Sequence, residues 1–436
     1  MDPMIVDKRN TNSSCKAEEH RTKGISAPLW RQPRYMSWFT ADTASAAGTA
    51  MQGFAISLVA FKLSGSVVSA GWLTTLMRVV QQFANLFGGT FVDRHGRKQL
   101  IIINCAAEAA LWGTVFILLF QGNLTFWVFA MLAVCSSLCN GFLGGATDAV
   151  LRSIIDIRDY PKARSVSEGR DATINLVGSP LGGALYGFTP WLPFLMAVIL
   201  YALAGVSANR INFKIHDQQI AGKRPARTPF FDDFKTGWRY VFSSGLIVVL
   251  LIMTALLNLG INGVQYAIQL YLVSIHTNAF FIGLIDSSTC IGVLVGAFMA
   301  GKLSDSAPVG TSILASSVIT LAVCIPMMLN GSYVLVLVCS ALIGLPFPLY
   351  NAMCLGFIFA KTPNRLQGRV KSAMSVSVQT LSIFSSAIAG MLLGHFGFTA
   401  AIMAFGVPLT AATIVAFASQ RIRKIPAADE WERTGL

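Results

Sequence analysis

The length of its apolar runs constrains this chain more than any other feature. Twelve stretches, at residues 36–61, 67–92, 99–121, 125–151, 165–188, 192–208, 245–273, 280–301, 309–330, 333–359, 370–395 and 398–419, each come near the roughly 20 residues that an α-helix needs to cross a bilayer. The expected fold class is therefore an all-α membrane protein with twelve transmembrane helices. Composition agrees: 12% of the residues are charged and 54% hydrophobic, against about 25% charged in a soluble domain. A soluble chain this apolar would expose large adhesive patches.

The positions of the charges orient the runs. With both ends of the chain inside, Lys62 and Arg78 are the only two of the 33 Lys and Arg residues that do not fall on the inner side. The net charge of +13 is then a consequence of facing an anionic inner leaflet, and no nucleic-acid partner is implied. The first 35 residues are polar and basic, with no cleavable signal peptide expected. The expected organisation is a cytoplasmic N-terminal tail at 1–35, a first bundle at 36–208, a cytoplasmic linker with an amphipathic helix at 209–244, a second bundle at 245–419 and a cytoplasmic tail at 420–436. The linker ends in Phe231-Asp-Asp-Phe-Lys-Thr-Gly-Trp238-Arg239-Tyr240-Val-Phe242, which suits the membrane surface. The expected location is the bacterial inner (plasma) membrane, crossed many times.

Between the second and third runs lies Gly89-Thr-Phe-Val-Asp93-Arg94-His-Gly96-Arg97-Lys98, and a degenerate copy, Gly301-Lys-Leu-Ser-Asp305-Ser, follows the eighth run. One copy per half is what a duplicated transporter should carry. The loop resembles the signature of the major facilitator superfamily, and the resemblance implies two six-helix bundles around a central cavity. It also implies a gate in which the loop's acid and its second Arg pair with neighbouring helix ends, and Asp148 is a candidate partner for Arg97 or for its own neighbour Arg152. Gly89 is expected to let the second helix approach the eleventh, and Gly96 to permit the tight turn. Shorter pieces resemble the branch of macrolide-efflux proteins and the enterobactin exporter: Ser64-Gly-Ser66 with Ala70-Gly71, Gly237-Trp238-Arg239-Tyr240, and Gly368-Arg369-Val370. Antiporters of the superfamily carry Gly-Pro-x-x-Gly-Gly in the fifth helix. Here Gly178-Ser179-Pro180-Leu181-Gly182-Gly183 keeps the glycines with the proline one place late. The proline still removes a hydrogen bond and bends the helix.

Polar residues within bilayer helices are expected to face the protein interior. The expected substrate cavity takes Gln52 from the first helix, Arg78 from the second, Asn258, Asn262, Gln265, Tyr266 and Gln269 from the seventh, and Gln379 from the eleventh. The same side chains suit interhelical hydrogen bonding without a ligand. Asp42, Glu108 and Asp286 are candidates for proton coupling, because a carboxyl group in a low dielectric takes up and releases its proton nearer neutrality. By helix rise, Asp42 lies roughly 9 Å from the inner helix end, Glu108 roughly 14 Å and Arg78 roughly 21 Å, so Glu108 and Arg78 are candidates for an ion pair.

Other chemistries find no support. Gly296-Ala-Phe-Met-Ala-Gly301-Lys302-Leu303 begins like a phosphate-binding loop, but Leu303 stands where Ser or Thr should hold magnesium; Gly292, Gly296 and Ala300 suit close helix packing instead. Seven of the eight cysteines lie in apolar runs, with no metal set and no disulfide framework. No cofactor and no catalytic group is expected. The leading expectation is proton-coupled export of a moderately large, amphipathic small molecule, a macrolide-like drug or siderophore-like compound, by a monomer, with the solute, H⁺ and the bilayer as its partners. Uptake of a hydroxyl-rich nutrient is the second reading, and a membrane sensor or lipid-handling protein that keeps the fold without transporting is the third.

Overall fold

The computed structural model describes residues 29–155, 159–211, 238–303, 308–329, 332–363, 366–423 and 425. Most of the expected tails, most of the linker and Asp305 lie outside the described residues. Among the described residues there is no strand.

The first bundle holds α1 (Pro33–Ser64), α2 (Val67–Arg94), α3 (Arg97–Phe120), α4 (Phe126–Leu143), α5 (Gly145–Ile154), α6 (Tyr160–Phe188) and α7 (Leu192–Asn209). The second holds α8 (Gly245–Ser274), α9 (Ala279–Leu303), α10 (Val309–Leu329), α11 (Tyr333–Gly344), α12 (Phe347–Lys361), α13 (Gln367–Ile383) and α14 (Ser385–Ala418), followed by the short α15 (Gln420–Arg423). The turns are tight. Pro33 starts α1 where its missing N–H costs nothing. Gly65 ends it at φ 66, with its N–H on Phe61 O at 2.8 Å. Ser66 then caps α2 by accepting from Ser69 N. A two-residue link leaves no choice but antiparallel neighbours.

Nine stretches among the described residues are long and apolar enough to cross a membrane. The difference from twelve runs has local causes. α2 and α6 carry too many polar side chains to qualify. Residues 376–418 count as one stretch although Gly397, at φ 83 and ψ 179, breaks α14 in two. Largely exposed apolar side chains ring the bundle: Trp127 is 80% exposed, Phe188 79% and Phe120 66%, an arrangement that only a lipid surround makes cheap. Inside the first bundle Trp112 stacks on Phe194 at 5.4 Å, both with almost no exposure. Inside the second, Gly260 and Gly263 let α8 press against Leu409 and Phe405 of α14. Gly292 and Gly296 of α9 lie against the Ala341 and Leu345 carbonyls, which accounts for the small residues of the phosphate-loop lookalike.

The helical residues 238–243 are the described part of the amphipathic segment. They carry a Trp238–Phe242 stack at 5.1 Å, and Tyr240 donates to Lys361 O at 3.1 Å.

Candidate functional site

The two bundles meet along two seams: α2 against α14, and α6 against α9. Both seams occupy the same end of the molecule, opposite the Asp93–Arg97 loop. Glycines make them possible. A Cβ on Gly71 would sit 2.5 Å from Ser386 O, and one on Gly390 2.7 Å from Val67 O. In the other seam Gly183 lies against Ala279 O, and a Cβ on Gly283 would sit 2.5 Å from Ser179 O.

Each seam places a hydroxyl in a broken helical rung of the opposite bundle. Pro180 has no N–H to give to Leu176 O, four residues back. Ser287 of α9 donates to that carbonyl instead. The helical path is also interrupted at Phe384, between α13 and α14. There the Thr75 hydroxyl donates to Ile383 O at 3.4 Å and accepts from Ala387 N at 3.0 Å, bridging the rung that the break opened. Asp286, next to Ser287 on α9, lies beside Ser179 of α6. The three fifth-helix glycines divide between partners: Gly178 meets Ala50 and Gly182 meets Met51 on α1, while Gly183 meets α9.

One turn beyond Thr75 and Ile383 the bundles part around a cavity of about 240 Å³. Arg78, Gln81, Gln82 and Asn85 line it from α2, Asn262 and Tyr266 from α8, and Gln379, Ser382 and Ile383 from α13. Four of the eight expected cavity residues therefore come together. The others lie elsewhere. Asn258 faces a pocket of about 20 Å³ within the second bundle, room for about one water. Gln265 and Gln269 are half-buried further along α8. Gln52 is 3% exposed inside the first bundle, where its amide donates to Tyr201 Oη at 3.0 Å and Thr49 reaches the same oxygen at 2.9 Å. The α8 amides also bond their own helix: Asn258 to Thr254 O at 3.0 Å and Asn262 to Asn258 O at 2.8 Å.

The candidate coupling carboxylates occupy three unlike surroundings. Asp42 pairs with Arg170 Nη1 of α6 at 2.6 Å, and Arg170 also holds Asp171 at 2.7 Å and covers the Phe39 ring at 5.4 Å. The sequence marks Arg170 only as a basic flank of the inner loop. A cation five residues inside an apolar run needs a partner, and that was the available signal. Glu108 has no exposure and accepts from three neutral donors: Trp112 Nε1 at 2.8 Å, Ser136 Oγ at 2.7 Å and Asn140 Nδ2 at 2.8 Å. Arg78, the candidate partner for Glu108, lies instead over the Tyr266 ring, with Cζ 5.7 Å from its centroid. Comparable depth did not mean a shared face.

At the signature loop the side chains of Asp93 and Arg94 lie outside the described residues. Asp148 pairs with Arg164 Nη1 at 3.2 Å, a partner the sequence did not suggest. Among the described residues nothing lies within 4 Å of a Cβ placed on Gly89; the close approach nearby is Gly88 on the Gly141 carbonyl of α4, where a Cβ would sit at 2.6 Å. Gly96 has φ −64, a backbone that any residue adopts, so its turn is not a glycine requirement.

The model of the Major Facilitator Superfamily matches residues 39–276 and 250–434. Multidrug resistance protein 2 of Bacillus subtilis (strain 168) is 22% identical over 360 residues, covering 80% of this chain and 86% of that protein. Multidrug resistance protein MdtG of Yersinia enterocolitica is 23% identical over 313 residues, covering 68% of this chain and 71% of that one. Among solved structures, a bacterial homologue of the iron transporter ferroportin in an inward-facing state superposes with a TM-score of 0.68 at 15% identity, covering 90% of this chain and 99% of that one. The nucleoside transporter NupG superposes with a TM-score of 0.62 at 14% identity, covering 89% and 99%.

Proposed function

The chain belongs to the major facilitator superfamily, and from that premise we propose that it is a proton-coupled secondary transporter that exports amphipathic small molecules by alternating access. The observation that carries this is the polar cavity between the bundles, closed at one end by two glycine seams and flanked by parted helices at the other. The proposed molecule has twelve spans in the plasma membrane, with both termini cytoplasmic; the one-sided distribution of Lys and Arg supports that orientation. The conformation is then inward-facing, and the cycle is completed when the seams release and the signature-loop end closes. Asp148, Arg164 and the charged loop are the groups available to hold that closure.

Asp42 is the proposed proton carrier. It is a carboxylate within a span, its side chain is 22% exposed, and its counter-ion Arg170 sits on a different helix. Protonating Asp42 cancels its charge and frees Arg170 to rest on Asp171 alone. Glu108 and Asp286 are more enclosed, among neutral donors and at the α6–α9 seam respectively. Export, rather than uptake, is supported by the names of the multidrug resistance relatives. Uptake of a hydroxyl-rich solute is the second reading, supported by the carboxamides of the cavity wall.

Energised inside-out vesicles containing the protein and a quenched pH dye supply the test. Macrolides, lipophilic cations, siderophores and sugars are added singly. A compound that releases the quench, with Asp42→Asn removing the release and Asp42→Glu retaining part of it, is the expected result. If the folded protein releases no quench with any of them, proton antiport of these classes is wrong.

A further inference from the structure

Among the described residues, the cavity wall holds one formal charge, and it is positive. Arg78 enters from α2 over the Tyr266 ring. None of the described residues lining the cavity is Asp or Glu, and among the described ion pairs none includes Arg78. Around it stand carboxamides from three helices: Gln82 and Asn85 of α2, Asn262 of α8 and Gln379 of α13.

An arginine at the centre of a bilayer helix is costly to insert. A site that keeps one without a carboxylate beside it is left to water or to a ligand for compensation. The guanidinium fork matches carboxylate and phosphate oxygens two at a time. Each carboxamide offers two donors and one acceptor oxygen, a set that suits hydroxyls, which both give and take. A lipophilic cation meets repulsion from Arg78 and finds few apolar surfaces. The volume of about 240 Å³ also lies below the ~300–1,000 Å³ usual for drug-sized ligands.

We propose that the cavity between the bundles binds a small, hydroxyl-rich organic anion, with Arg78 taking its acidic group and the surrounding carboxamides its hydroxyls. The proposal rests on reading this cavity as the solute path. It narrows the proposed substrate range to anionic, hydroxyl-bearing members and holds for either direction of transport. Tyr266 fixes the guanidinium from below, and Gln379 on the far bundle closes the polar ring, so that the solute touches both bundles and can report its presence to each.

The test is thermal unfolding of the full chain in detergent with glucuronate, gluconate and glucose 6-phosphate, against glucose, acetate and tetraphenylphosphonium. At least one of the three hydroxylated anions is expected to raise the unfolding temperature at millimolar concentration, and to do so more than glucose, acetate or the cation. Arg78→Gln should weaken that anion about ten-fold or more, the equivalent of ~1.4 kcal/mol. Gln379→Ala should narrow the preference for the hydroxylated anion over acetate while leaving acetate itself unchanged. Phosphate against carboxylate is decided by which anion binds. The proposal falls if none of the three anions stabilises the folded protein, if tetraphenylphosphonium or glucose does so equally well, or if Arg78→Gln binds as the wild type does. Binding of an anion that never releases dye quench in the vesicles removes the coupling reading and leaves this one standing. Quench released by a lipophilic cation alone does the reverse.

Discussion

The two seams solve one problem with different chemistry. On the proposed cycle, each must hold the bundles together tightly and yet let go. Each does so by placing a hydroxyl from one bundle into a broken helical rung of the other. At the α2–α14 seam Thr75 serves both broken groups, Ile383 O and Ala387 N. At the α6–α9 seam Ser287 serves one, Leu176 O, because Pro180 has no N–H to satisfy. The difference teaches what happens on release. When Thr75 withdraws, Ala387 N and Ile383 O can bond each other, and the helix can heal. When Ser287 withdraws, Leu176 O has no helical donor to return to. One break is reversible, and the other is fixed by covalent structure.

The largest effect is expected from filling a seam. A side chain at Gly71 must displace the Ser386 backbone, and one at Gly183 the Ala279 backbone. Overpacking of a tight contact costs about 1–3 kcal/mol, enough to prevent the seam from closing. Gly71→Leu and Gly183→Leu should each reduce flux at least about ten-fold, the equivalent of ~1.4 kcal/mol, while the protein still reaches the membrane. Near-normal flux in either variant would mean that this seam does not need to close tightly.

A smaller effect separates the two seams. Thr75→Val strips two backbone groups of their link, and Ser287→Ala strips one. Buried polar groups left unmade cost about 1–3 kcal/mol each in water-soluble proteins, but interhelical bonds in membranes average about 0.6 kcal/mol. Healing of the 383–387 rung should compensate Thr75→Val in the released state, so that this variant favours release more strongly than Ser287→Ala does. Spin labels at positions 89 and 367 read the balance of states. A larger population shift in Ser287→Ala than in Thr75→Val would reverse the comparison.

The smallest effect is the sharpest test of the proline. Pro180→Ala returns an N–H to the α6 rung, so Leu176 O no longer depends on Ser287. In that background Ser287→Ala should change flux and stability by no more than a few tenths of a kcal/mol, the ordinary error of additivity. If Ser287→Ala costs as much in the Pro180→Ala background as it does with the proline in place, the serine is not answering the proline.

Much of the architecture was legible because a bilayer writes it plainly. Long apolar runs, short polar breaks and one-sided cations need no tertiary information. The break at Pro180 was legible too, since a proline announces its missing donor. Its answer, Ser287, was not, because nothing in a sequence links a carbonyl to a hydroxyl 111 residues away. The Phe384 break left no signal at all: no proline or glycine stands there, and the hydroxyl that bridges it comes from the other bundle. The cavity was half legible. A polar stripe on one helix face predicts interior, but α8 borders two interiors, so Asn262 and Tyr266 reached the central cavity while Asn258 turned into its own bundle. Depth put Glu108 and Arg78 within about 7 Å of each other, within reach of a long arginine. Azimuth, which depends on how helices are arranged around the bundle, sent one to Trp112 and the other to Tyr266.

The Phe384 interruption also has a mechanical meaning. α13 is 17 residues long, about 25 Å at the helical rise of ~1.5 Å per residue. Gln379, Ser382 and Ile383 stand at the pivot end of that rod, in the cavity wall. A change of about 20° at the joint, the lower bound of a sharp kink, sweeps the Gln367 end through about 9 Å while moving Gln379 by only about 2.6 Å. On the proposed cycle the joint would thus act as a lever, turning a displacement of a few ångströms at the cavity wall into one several times larger at the Gln367 end.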